Sequence, residues 1–268
     1  MAARALIGFL ALGLLTVQEA GAASPQWQNP PVSSKGVKPY FDSTSLHSQE
    51  LPPPPAVDSL LDQRDVATVV AFQAVDAARR KEAGEDARWL FDRFEQAFGQ
   101  GPIRGDARPA LVTLLSRTLK QVGGPTFAAK AVHQRARPYQ RMKLAQVCGR
   151  AADGVDDADA DMRTSYPSGH AAYGWAVGLV LARVAPARAE ALLSRAQTYA
   201  ESRVVCGVHF PSDVEAGRQM ATAVVAQLDR HAEFQRDLEL AKAELTASPP
   251  AAASAPASAS STIPAPAK

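Results

Sequence analysis

The stretch "SRVVCGVHFPSD", residues 202 to 213, places Arg203, His209 and Asp213 within twelve residues, with a cysteine and a proline between them. Upstream, in "ARAEALLSRAQTYAESRVV", Leu192, Leu193, Ala196, Ala200 and Val204 recur at three- and four-residue steps. That spacing is the apolar face of an amphipathic helix. Downstream, "SDVEAGRQMATAVVAQLDRHAEF" repeats the pattern with Val214, Met220, Val224 and Leu228. The quoted stretch therefore reads as the turn between two helices, with Pro211 and Ser212 opening the second. Its imidazole can point out of that turn, and Asp213, four residues on, can accept a hydrogen bond from one ring nitrogen. The chain is mostly α.

Further helical patterns lie on either side. The run from Ser59 to Glu82 has Leu60, Val66, Val69, Val70, Phe72 and Val75 among spaced charges, as one amphipathic helix would. Others cover roughly 85 to 98, 107 to 122 and 125 to 134. Strict alternation over a strand length occurs nowhere. The four consecutive prolines of "LPPPP" at 51 to 55 favour an extended lead-in.

The first residues, "MAARALIGFLALGLLTVQEAGAAS", read as a secretory signal over 1 to 23. Arg4 precedes an apolar run from Ala5 to Leu15, and Ala20, Gly21 and Ala22 supply a small-residue cleavage site. That run is short of the about 20 residues a bilayer span needs. Every later apolar stretch is interrupted by charges, so no stable membrane insertion is expected. The expected organisation is a domain over 24 to 246 and an Ala/Ser/Pro-rich tail over 247 to 268 that buries too little to order. Export favours a disulfide between the two cysteines, Cys148 and Cys206. The net charge of +2 gives no basic field for nucleic acid and no acidic tail.

Two more segments carry chemistry. "KAVHQRARP" sets Lys130 seven residues before Arg137, with Pro138 following. "SYPSGHAAYGW" puts Pro167, Ser168, Gly169 and His170 at the start of an apolar helical run. If Lys130, Arg137 and Arg203 converge, they form a site for a multiply charged anion, and forked guanidiniums suit phosphate oxygens. Ser168 and Gly169 add the N–H groups of a helix start and room for close approach. His209 can attack phosphorus with Asp213 fixing its tautomer, and His170 can protonate the leaving alkoxide. No metal or cofactor is required. The acidic run at 153 to 161 lacks the glycine and glutamate of a calcium loop.

K-x6-RP, PSGH and SR-x5-H-x3-D, in that order, resemble the signature of the phosphatidic acid phosphatase type 2 (PAP2) and haloperoxidase superfamily. "LPPPP", "SYPSGH" and "SRVVCGVHFPSDVEAGR" are similar to the bacterial class A non-specific acid phosphatases, from about Tyr40 to Thr246. The resemblance implies an all-α, single-domain helical bundle. It implies His209 as nucleophile forming a phosphohistidine, Asp213 as its orienting partner and His170 as general acid. It assigns Lys130, Arg137, Ser168, Gly169 and Arg203 to phosphoryl oxygens, and it suggests a homo-oligomer. Thr164 stands where such proteins often have glycine. His133 and Arg135 fall at unspecified positions and are left out of the site. The expected substrate is a small phosphomonoester met in the periplasm or outside the cell. The alternatives are lipid phosphate or diphosphate hydrolysis, vanadate-dependent peroxidation, and a periplasmic phosphate-binding protein without turnover.

Overall fold

The structure, a computed structural model, describes residues 37–42, 51–87, 90–149 and 164–247. The signal segment, the acidic run at 153 to 161 and the tail beyond Ala247 lie outside the described residues. The helices are α1 (Leu60–Phe72), α2 (Ala77–Glu85), α3 (Glu95–Phe98), α4 (Pro109–His133) and α5 (Pro138–Arg141), followed by α6 (Gly169–Val184), α7 (Ala189–Val205), α8 (Pro211–Leu228) and α9 (Ala232–Ala247). No strand occurs among the described residues, and the fold is all-α as expected. None of their helices is long and apolar enough to cross a membrane.

α6 is the axis of the bundle, packed against α7, α8 and α4. Ala171, Ala172, Ala176, Val177, Val180 and Leu181 are fully enclosed. Its small residues set how close the neighbours come. A Cβ at Gly174 would lie 2.2 Å from the ring of Tyr199, and one at Gly178 would lie 2.7 Å from Ala196 Cβ. A side chain at either position forces α7 away, so α6 and α7 touch nearly backbone to side chain. α9 lies along α4, where the Glu244 carboxylate accepts from the N–H groups of Ala110 and Leu111 at the N-terminus of α4. A carboxylate there satisfies orphan donors and complements the helix dipole.

The two helices expected over 107 to 122 and 125 to 134 are one helix of 25 residues, with Pro125 inside it. Proline forfeits one backbone bond, but Val122, Pro125, Thr126 and Ala129 are buried, and this packing outweighs the loss. The bare Cα of Gly123 leaves room for the Tyr173 hydroxyl, which a Cβ would meet at 2.9 Å. Conversely, the single helix expected from Ser59 to Glu82 breaks at Gln73, and Asp76 caps the start of α2 through the Arg79 N–H. Among the described residues, the pattern at 85 to 98 yields a 3-10 turn over Asp92–Phe94 and α3.

α1 follows its amphipathic reading only in part, with Val69 fully buried as expected. Leu60 and Val70 are exposed at 83% and 56%, whereas Asp62 and Asp65 are buried at 2% and 5%. The carboxylates turn inward because Arg135 and Arg141 meet them there.

Cys148 and Cys206 are bonded, as expected, across 58 residues of sequence. The bridge belongs to a second apolar cluster with Val69, Ala83, Tyr139, Val205 and Phe210, beneath the segment 202–213. By chain entropy a loop of that length is worth about 4 kcal/mol.

Candidate active site

The quoted stretch folds as a helix end, a tight reversal and a helix start. α7 stops at Val205, and Gly207 takes the left-handed conformation at φ 69°. The Gly207 N–H bonds the Val204 carbonyl at 2.9 Å, and the Val208 N–H bonds the Arg203 carbonyl at 3.2 Å. These are the two bonds of a Schellman motif, which needs a left-handed residue at its turn. A Cβ at Gly207 would also lie 2.6 Å from Leu144. The His209 N–H reaches the same Arg203 carbonyl at 3.3 Å, so the reversal sets His209 over the end of α7. Phe210 is extended and Pro211 begins α8, which carries Asp213 into its first turn.

The first block also ends in a turn. Gln134, at φ 43°, terminates α4 just after Lys130 and His133. The chain then runs extended to Arg137, held out of the helical region by Pro138. Lys130 Nζ donates to the carbonyls of Thr164 and Pro167, both at 2.5 Å, and so holds the second block against α4. Ser168 caps α6 by accepting from the Ala171 N–H at 3.3 Å. Its own N–H donates to the Asp213 carbonyl at 2.8 Å, joining the second block to the third. Gly169 faces Lys130: a Cβ there would lie 3.8 Å from Lys130 Cε.

Arg137 closes the circle. Its Nη1 lies 3.0 Å from the Val208 carbonyl and 3.2 Å from His209 Nε2, and its Nη2 donates to Thr164 Oγ1 at 3.1 Å. A guanidinium has no acceptor, so Nε2 is the accepting nitrogen and the ring proton sits on Nδ1. Nδ1 faces Asp213 Oδ2 at 3.7 Å and Ser165 Oγ at 3.5 Å. Asp213 is fully buried. Its Oδ2 accepts from Ser165 Oγ at 2.6 Å and the Phe210 N–H at 2.7 Å, and its Oδ1 accepts from Arg135 at 2.8 Å. Arg203 lies at the end of α7 with Nη2 on the Ala83 carbonyl at 2.7 Å. Burial, Arg203 and His209 act together on the imidazole of His170. All eight side chains or backbone positions singled out in the sequence thus belong to one region. Arg135 and Ser165 also belong to it, and neither was singled out.

The electrostatics follow from burial among cations. Burial and the charge of Arg137 lower His209 to about 3. Burial, then Arg203 and His209, hold His170 well below the ordinary imidazole value. Burial and Arg137 bring Lys130 down to about 7, against the pull of Asp213. Burial alone pushes Asp213 up, but His209 and Arg135 outweigh it and hold the carboxyl at about 2. At mildly acidic pH the site therefore combines neutral imidazoles, an ionised aspartate and charged Lys130, Arg137 and Arg203. That arrangement suits a bound anion.

A family model described as the PAP2 superfamily matches residues 107–230. A non-specific acid phosphatase of Providencia stuartii is 35% identical over 210 residues, which cover 76% of this chain and 81% of the relative. The chain belongs to the PAP2 superfamily. A second relative, a non-specific acid phosphatase of Salmonella typhimurium, is 32% identical over 80% of this chain and 86% of its own length. An acid phosphatase of Zymomonas mobilis is 38% identical over 51% of this chain and 50% of its own length. The PAP2 match spans all three blocks, from Lys130 to Asp213, but not α1 or α2.

The contact between the second and third PAP2 blocks gives a direct test. A Cβ at Gly217 would lie 2.4 Å from the Ser168 carbonyl oxygen and 3.1 Å from the Ala172 nitrogen. Both are backbone atoms, so only separation of α6 from α8 relieves the clash. Gly217→Ala is expected to lower stability by about 1–3 kcal/mol and to reduce turnover, because Ser168 and Asp213 then part. Thermal melting and kcat check it, and an unchanged melting temperature contradicts the close contact.

Proposed function

We propose that this acid phosphatase of the PAP2 superfamily hydrolyses soluble phosphate monoesters, outside the cytoplasm, through a phosphohistidine on His209 and without a metal. The observation that carries the reading is the polarity of His209: Nε2 is unprotonated against Arg137 while Nδ1 faces Asp213. That is the tautomer a nucleophilic imidazole needs. Lys130, Arg137 and Arg203 supply positive charge for the phosphoryl oxygens, and Ser168 and Gly169 supply a helix start.

In the first step Nε2 attacks phosphorus and the P–O ester bond breaks. The electron pair leaves on the alcohol oxygen, which takes the proton that the bound phosphate dianion has drawn onto His170. Asp213 faces the cation that forms on His209. In the second step His170, now neutral, accepts a proton from water as the water oxygen attacks phosphorus, and the P–N bond returns its electrons to Nε2. Export is supported by the leader read over 1 to 23 and by the Cys148–Cys206 bond, which persists in oxidising compartments.

The pH dependence follows from the free enzyme. His209 must be neutral, which holds above about 3, and Lys130 must be charged, which holds below about 7. kcat/KM, which reports the free enzyme, is expected to rise through the lower value and fall through the upper. Hydrolysis of p-nitrophenyl phosphate by the mature protein within that window, with excess EDTA, tests the whole reading. Turnover unaffected by EDTA supports it. Activity lost to EDTA and restored by a metal ion overturns the metal-free mechanism, and a rate still climbing far above the upper value overturns the assignment of charges.

A further inference from the structure

Arg135 is 8% exposed and spends its guanidinium entirely inside the protein. Nη1 donates to Asp213 Oδ1 at 2.8 Å and to Ser212 Oγ at 2.7 Å. Nη2 donates to Asp62 Oδ1 at 3.1 Å and Asp65 Oδ2 at 3.0 Å, both from α1. The guanidinium lies over the ring of Phe210, 4.2 Å from its centroid. The Arg135 carbonyl also accepts the Ser165 N–H at 3.0 Å. One residue therefore fixes both groups that face His209 Nδ1: Asp213 through its side chain, Ser165 through its backbone. Asp65 strengthens the anchor, because it also accepts from the Ser212 N–H at 3.1 Å and contacts the Ser212 hydroxyl.

We propose that Arg135, held by Asp62 and Asp65 of α1, is a positioning residue that aims the Asp213 carboxylate at the nucleophile. The charges support this role. Two cations, Arg135 and Arg141, stand among three carboxylates, Asp62, Asp65 and Asp213, so three minus two leaves one negative charge over. Arg135 occupies only Oδ1, so Oδ2 remains toward the ring that must become cationic. Asp62 and Asp65 lie before residue 107, where the family match begins. α1 thereby becomes part of the catalytic support.

The proposal rests on the phosphohistidine reading, and a cycle of substitutions separates the two. Arg135→Gln is expected to lower kcat about 100-fold, the scale of a roughly 1 Å misplacement, with KM and the inhibition constant of inorganic phosphate nearly unchanged. Placed on Asp213→Asn, the same change is expected to cost little more, because a residue acting through Asp213 has nothing left to aim. Equal losses in both backgrounds, or a loss confined to KM, overturn the proposal. Should Arg135→Gln fail to fold, Arg135→Lys keeps a charge but not the fork. A folded Arg135→Lys with unchanged kcat also overturns it, since one ammonium cannot serve Asp213, Asp62 and Asp65 together. If the unsubstituted protein shows no turnover and no phosphoenzyme, the failure belongs to the reading of the site. If it turns over and the Arg135 variants match it, the failure belongs to this proposal alone.

Discussion

His209→Ala is expected to erase turnover and the phosphoenzyme together. Deleting a covalent nucleophile removes the path itself, and the loss is expected on the scale of roughly 10⁶-fold in kcat. The fold should survive the change. Asp213 keeps its bonds to Arg135, Ser165 and the Phe210 N–H, and the reversal from α7 to α8 is made by the backbone and Gly207. Arg137 keeps the Val208 carbonyl and Thr164. Phosphate should therefore still bind, which separates chemistry from binding. The measurement is rapid acid-free quenching after mixing with labelled substrate, since a phosphoramidate is lost in acid and kept in base. A variant that still accumulates such a phosphoprotein has another nucleophile, and His209 is then misassigned.

The three blocks were legible because each marks a place where the backbone must do something unusual. Gly207 permits the left-handed turn that carries the chain from Arg203 to His209. Pro211 and Ser168 mark helix starts, and Pro138 holds Arg137 out of the helix that carries Lys130. Local rules of this kind survive folding because they act within a few residues. α1 shows the opposite case. Leu60 and Val70 were read onto its buried face and are exposed, while Asp62 and Asp65 turn inward beside Val69. Their partners, Arg135 and Arg141, lie seventy or more residues along the chain, and no periodicity within α1 announces them. Arg135 was passed over for the same reason. Two residues before Arg137, it falls at an unspecified position of the first block, and only the tertiary fold shows three carboxylates around it. The continuity of α4 through Pro125 was hidden likewise, because the packing that outweighs the lost bond comes from other helices.

The second large effect concerns His170, where the leaving group reveals the role. Burial, then Arg203 and His209, hold this imidazole well below its ordinary value. A phosphate dianion placed among Lys130, Arg137 and Arg203 offsets their charge, so binding of substrate is expected to draw a proton onto His170. With an alkyl phosphate that proton must reach the departing alkoxide, and His170→Ala is expected to cost about 10²–10⁴-fold in kcat, the usual worth of a positioned acid. p-Nitrophenolate departs as a stable anion and needs no proton, so formation of the phosphoenzyme should be nearly spared with that ester. The second step is not expected to be spared, because the proposed mechanism also has His170 take the proton from water. The variant should therefore release one equivalent of p-nitrophenol in a fast burst and then turn over slowly, while the alkyl ester gives no burst. Equal losses with both esters and no burst place the proton elsewhere. The contrast between the two substrates isolates proton transfer, because both esters present the same phosphoryl group to Lys130, Arg137 and Arg203.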